Sequence, residues 1–140
     1  MNKNISIVTI QKPSDTSSIE VKTPFACLLY SNQKKVSSDE MGLVANWLVN
    51  SGCRYAVCAG LKCEEWHDTI DTADTIRDLN TQNLIMTTWH KNETVEDVVW
   101  FWLNLTDFED IAFENYLVLL VGDSKTIEEK IRQAINNNSL

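Results

Sequence analysis

Pro24-Phe25-Ala26-Cys27-Leu28-Leu29-Tyr30 opens the stretch on which the fold turns, and Tyr55-Ala56-Val57-Cys58-Ala59-Gly60 closes it. Both runs are apolar without alternation, which suits strands buried on both faces rather than strands with one wet side. Between them, Ser37 and Glu40 stand at capping-box spacing. Met41, Val44, Ala45, Leu48 and Val49 then recur at helical intervals until Gly52 supplies a stop. A strand, a helix and a second fully buried strand make a parallel crossover unit.

The same alternation continues outward. The segment from about Cys63 to Leu79 predicts a helix with Trp66, Ile70, Ala73 and Ile76 on one stripe and Glu64 and Glu65 in its first turn. Leu84 to Thr88 predicts a strand. Thr94 offers an N-cap for a helix carrying Val95, Val98, Val99, Trp102 and Leu105. Tyr116 to Val121 is the most apolar strand, and Thr126 with Glu129 repeats the capping-box spacing before Ile127, Ile131, Ala134 and Ile135. At the front, Ile5 to Ile10 predicts an edge strand, followed by a polar loop over Lys12 to Ser18.

The expected architecture is therefore α/β, a three-layer α-β-α sandwich with a mostly parallel sheet of about five strands, of the flavodoxin- or Rossmann-like kind. With 140 residues and no linker or repeat, residues 1–140 read as a single domain. Trp47, Trp100 and Trp102 read as core or near-core residues on helical stripes.

Twelve basic residues against twenty acidic ones give a net charge of -8, which argues against nucleic-acid or anionic-membrane partners that demand phosphate neutralisation. No apolar run approaches the length of a membrane span, and Met1 to Ile7 lacks the apolar core of an export signal, so the expected compartment is the cytoplasm. There a disulfide framework for Cys27, Cys53, Cys58 and Cys63 is not expected.

Ligands of open parallel sheets bind beyond the carboxyl ends of the strands, and both histidines fall in that layer, each directly after a tryptophan. One chemical reading gathers Cys58, Cys63, His67 and His90 around a zinc ion, since Zn²⁺ takes four thiolate or imidazole ligands, although the spacing matches no standard finger. A second makes Cys63 a nucleophile at a helix N-terminus, with His67 or His90 as base and Asp68 or Asp123 orienting it; Glu64 and Glu65 oppose the thiolate. The simplest reading is structural: the tryptophans pack on the sheet rim and the imidazoles hydrogen-bond to backbone or to Asp68. No glycine-rich phosphate loop is present, so no cofactor is expected, with zinc as the alternative.

Charge is distributed more specifically than any of these sets. Residues 63 to 114 hold thirteen acids against Arg77 and Lys91, a local charge of -11. Glu64, Asp68, Asp71 and Asp78 fall along one side of the helix from Cys63, a costly row of like charges if only solubility were needed. A solvated face is the plain explanation, and a docking surface for a cationic protein the sharper one, with Trp66 and Trp89 as aromatic anchors.

The string Cys58 to Asp68, Cys-Ala-Gly-Leu-Lys-Cys-Glu-Glu-Trp-His-Asp, together with Thr87-Thr88-Trp89-His90, resembles a small bacterial family known only as a domain of unknown function. The resemblance covers most of the chain from Phe25 onward and implies no activity. In size, acidity and the lack of a complete catalytic motif, the chain is also similar as a class to bacterial immunity proteins, which neutralise a cognate toxin. The function expected is that of a non-enzymatic acidic binding protein with a basic toxin domain as partner, the alternative being an enzyme or zinc-binding domain.

Overall fold

The computed structural model describes residues 3–77 and 84–138. Its elements are β1 (Asn4–Ile10), a short 3-10 helix (Pro13–Ser18), β2 (Phe25–Ser31), α1 (Ser38–Asn50), β3 (Cys53–Gly60), α2 (Cys63–Arg77), β4 (Met86–His90), α3 (Val95–Asn104), β5 (Asn115–Val121) and α4 (Lys125–Asn138). All five strands form one sheet in the order β1-β5-β2-β3-β4, and every pairing is parallel. The α/β sandwich and the edge position of β1 agree with the expectation from sequence.

The sheet order explains the residue pattern. The central strands β2, β3 and β5 are covered on both faces, so each alternates its side chains between two apolar layers. Cys27 and Leu29 of β2 face one cluster with Val44, Leu48, Trp66 and Ile70, from α1 and α2. Ala26 and Leu28 face the other, with Val99, Trp102, Ile131 and Ala134, from α3 and α4. The chain steps from β2 to β3 to β4 in one direction and then returns across the sheet to β5. Right-handed crossovers taken in opposite directions place α1 and α2 on one face and α3 on the other.

Local chemistry fixes the helix starts. Ser37 and Glu40 close the capping box, with Glu40 N–H donating to Ser37 Oγ at 3.1 Å and Ser37 N–H to Glu40 Oε1 at 2.9 Å. Thr94 Oγ1 accepts from Asp97 N–H at 3.1 Å. At α4, however, the cap is Ser124, whose Oγ accepts from Ile127 N–H at 3.2 Å; Thr126 already lies inside the helix. The Thr126/Glu129 spacing thus marked the right helix two residues too late. Lys12 to Ser18, expected as a loop, winds into the 3-10 helix because Asp15 accepts the backbone N–H groups of Gln11 and Lys12, and those bonds hold its carboxyl below its ordinary pKa.

Three side chains depart from their expected layer. Trp102 is fully buried and its indole N–H donates to the Ala26 carbonyl at 3.0 Å, but Trp100, two residues earlier, points to solvent and is half exposed. Ile76 is 67% exposed because at 100° per residue it is rotated off the inward face that Cys63, Trp66, Ile70, Ala73 and Asp74 define, and Leu105 is half exposed as the C-cap of α3. Trp47 is partly buried against Phe25.

Candidate functional site

β4 is the outer strand on the α2 side and, among the described residues, pairs with β3 alone. It runs Met86–His90 rather than ending at Thr88, so Trp89 and His90 are strand residues and not the loop beyond it. Alternation then sends Thr87 and Trp89 to the α2 side and Thr88 and His90 to the α3 side. Thr87 donates to Asp71 Oδ1 at 2.5 Å, and the Trp89 ring lies 4.6 Å from the His67 ring, centroid to centroid. On the opposite face His90 is buried, with Nδ1 at 3.0 Å from Glu93 Oε2, Nε2 at 3.0 Å from Thr88 Oγ1, and its ring against Phe101.

His67 stands between two carboxylates, Nδ1 at 2.9 Å from Asp68 Oδ1 and Nε2 at 3.5 Å from Asp71 Oδ2. Each imidazole therefore has partners for both ring nitrogens; His67 meets Asp68 as the structural reading expects, whereas His90 meets the Glu93 and Thr88 side chains rather than backbone or Asp68. The two histidines share the carboxyl edge of the sheet, but its β-sheet layer separates them. Cys58 and Cys63 are buried in the α1/α2 core, on the face away from His90. The four expected zinc ligands hence do not converge, and no group of three or more metal-ligating side chains occurs among the described residues. Burial pushes the Cys58 thiol well above its ordinary range. Asp123 follows β5, three strand spacings or about 14 Å from β4, too far to orient either imidazole.

The acidic row is placed more favourably. Glu64, Glu65 and Asp68 are exposed on α2, Asp71 is half-buried by its bonds to Thr87 and His67, and Glu93, Glu96 and Asp97 are exposed around the start of α3. Asp74, on the inner side of α2, is buried: its carboxylate accepts from Ile85 N–H at 3.1 Å and from Arg77 Nη2 at 2.8 Å. Asp78 lies outside the described residues. Of the two expected anchors, Trp89 is 45% exposed beside His67, whereas Trp66 is completely enclosed and belongs to the core. Trp66 sits on the inward helical stripe with Ile70 and Ala73, so its position was set by packing.

At the customary ligand position, outside the carboxyl ends of β2 and β5 where the chain connections leave in opposite directions, backbone hydrogen bonds tie the strand ends to one another. Asn32 N–H donates to Val121 O at 2.7 Å, Gly122 N–H to Ile10 O at 2.8 Å, and Leu61 N–H to Ser31 O at 2.9 Å. Gly60 permits the last of these. At φ +82° it brings its backbone so close that a Cβ would stand 2.3 Å from Ser31 O. The cleft that remains between Ile10, Gln11, Gln33, Val44 and Trp66 has a volume of about 10 Å³, room for about one water and far below the roughly 300 Å³ at which small-molecule sites begin.

These features define an α/β domain with a closed carboxyl rim and an acidic, partly apolar sheet edge. The chain belongs to the family described as Domain of unknown function (DUF7684), whose model matches residues 5–138. No curated protein matches the sequence. No helix among the described residues is long and apolar enough to cross a membrane.

Proposed function

We propose that this chain is a non-enzymatic binding protein that presents the acidic surface of α2 to a basic protein partner, in the manner of bacterial immunity proteins acting on a toxin domain in the cytoplasm. The observation that carries the reading is the company Trp89 keeps. A half-exposed indole lies against His67, and His67 is bracketed by Asp68 and Asp71, so an aromatic anchor and carboxylates share one patch. Glu64, Glu65, Glu96 and Asp97 are each in the first turn of a helix, where the dipole already favours acids. Asp68 and Asp71 lie beyond that turn, and helix stability does not account for them. The stitched carboxyl rim supports the same reading, since it ties together the strand ends where this architecture usually binds substrates.

Where a basic, toxin-like reading frame adjoins this one, its product is the partner to assay. Replacing Glu64, Glu65 and Asp68 by lysine is expected to slow association at low salt by at least about tenfold, because exposed charges steer encounter. Asp71 is left in place because it also holds Thr87. An unchanged rate and salt dependence would reduce the acidic face to a solvated one.

A further inference from the structure

We infer that the outer edge of β4, unpaired among the described residues, is a strand-docking site for an extended, lysine- or arginine-bearing segment of the partner. This rests on the acidic-binding reading above and adds the mode and the place of recognition.

An unpaired parallel edge presents a row of backbone N–H and C=O groups, and proteins usually protect such edges with lysine, proline, a bulge or a covering element. Met86-Thr87-Thr88-Trp89-His90 contains neither lysine nor proline, and its pairing with β3 runs without a register shift. The strand also exposes apolar surface: Met86 is 44% and Trp89 45% exposed, and Leu84 just before it is 51% exposed. The opposite edge, β1, differs. None of its large apolar residues is among the exposed ones; Ile5, Ile7 and Val8 are intermediate and Ile10 is buried. The exposed apolar side chains therefore gather along one of the two sheet edges.

Charge selects the occupant. Carboxylates flank β4 on both faces, Asp68 and Asp71 on the α2 side beside His67 and Thr87, and Glu93 on the α3 side beside His90. An added strand alternates its side chains between the same two faces, so basic residues on either face meet an acid. Arg54 is already engaged at the amino end, donating to Leu84 O at 2.8 Å, and Arg77 with Asp74, while Lys91, exposed just past His90, is outnumbered at the carboxyl end by Asp68, Asp71 and Glu93. A second copy of this chain, itself at -8, would bring acids against acids. The complementary occupant is a cationic strand.

The experiment uses the full chain and three end-blocked peptide probes: alternating Lys-Val, the same sequence methylated at alternate backbone nitrogens, and alternating Glu-Val. Hydrogen exchange at the Met86–His90 amides and a binding isotherm from tryptophan fluorescence are read for each. The expected result is binding of Lys-Val, exchange of β4 amides slowed at least about tenfold, and affinity for the methylated probe reduced at least about tenfold, since strand addition depends on backbone hydrogen bonds. Equal binding of both Lys-Val probes would overturn strand docking while leaving the acidic-surface reading intact. Equal binding of Glu-Val would overturn the acidic reading itself. Protection of β4 that grows with protein concentration alone would make a second copy the occupant and overturn the proposal, as would no binding of any probe.

Discussion

Replacing Asp74 by alanine should destabilise the fold by about 2–4 kcal/mol, and replacing it by asparagine by much less. Asp74 is 6% exposed and its carboxylate accepts from Ile85 N–H at 3.1 Å and Arg77 Nη2 at 2.8 Å. Ile85 is buried directly before β4, so without Asp74 its N–H loses its acceptor away from water, at about 1–3 kcal/mol. The Arg77 bond is charge-assisted, but its guanidinium is partly solvated, so we assign it only about 1 kcal/mol. Asparagine retains an acceptor for Ile85 and should cost about 1 kcal/mol. At roughly 3 °C per kcal/mol for a chain of this size, alanine lowers the melting temperature by about 6–12 °C. Urea denaturation with an unchanged m-value gives the free energy directly. Because Asp74 pins the leading end of the docking strand, hydrogen exchange at Met86–His90 should accelerate more than at β2. A loss below about 1 kcal/mol for alanine, equal losses for both variants, or uniform acceleration of exchange would refute the reasoning.

Burial raises the thiols of Cys27, Cys53 and Cys58, Cys53 from an ordinary 9.0 to about 12, so in the folded chain all three should resist thiol reagents at neutral pH and react only on denaturation. The unfolded chain releases these protons near pH 9 while the folded one holds them. Stability is therefore full below that pH and falls as pH rises beyond it, by up to about 1.4 kcal/mol per pH unit for each thiol; a urea midpoint flat from pH 8 to 10 would contradict this. Trp102→Phe removes the donor to Ala26 O and should cost about 2–4 kcal/mol in the same assay; a near-neutral result would show that this bond contributes nothing net. Gly60→Ala forces a Cβ toward Ser31 O at positive φ and should cost at least about 2 kcal/mol, whereas an unchanged melting temperature would mean that the rim relaxes freely.

The layers were legible in the sequence because burial on two faces leaves a plain mark: the continuous apolar runs Phe25 to Tyr30, Tyr55 to Ala59 and Tyr116 to Val121 suit interior parallel strands, and the helical segments between them favour that reading. Strand order left no such mark. Whether β4 or another strand lies at the edge depends on crossovers between distant segments, so the exposure of Met86 and Trp89 was not readable, nor the pairing of His67 with Trp89. The Cys/His set failed for a related reason. The sequence places His90 in the layer beyond a strand end, but as the last residue of β4 its face is fixed by alternation, away from Cys58. Trp66 illustrates the opposite case: its spacing from Ile70 and Ala73 already marked it as core, and its burial follows from the helical stripe.

Whether the acidic surface beside β4 is where the chain acts is decided by association kinetics with the basic partner protein, measured for the parent and for the Glu64→Lys, Glu65→Lys, Asp68→Lys triple variant at low and at physiological salt. The Debye length shrinks from about 30 Å at 0.01 M to about 8 Å at 0.15 M, so the parent should associate at least about tenfold faster at low salt and lose most of that advantage as salt rises. The triple variant should be slow at both. Equal association rates for parent and variant, with equal salt slopes, would contradict the binding function proposed here.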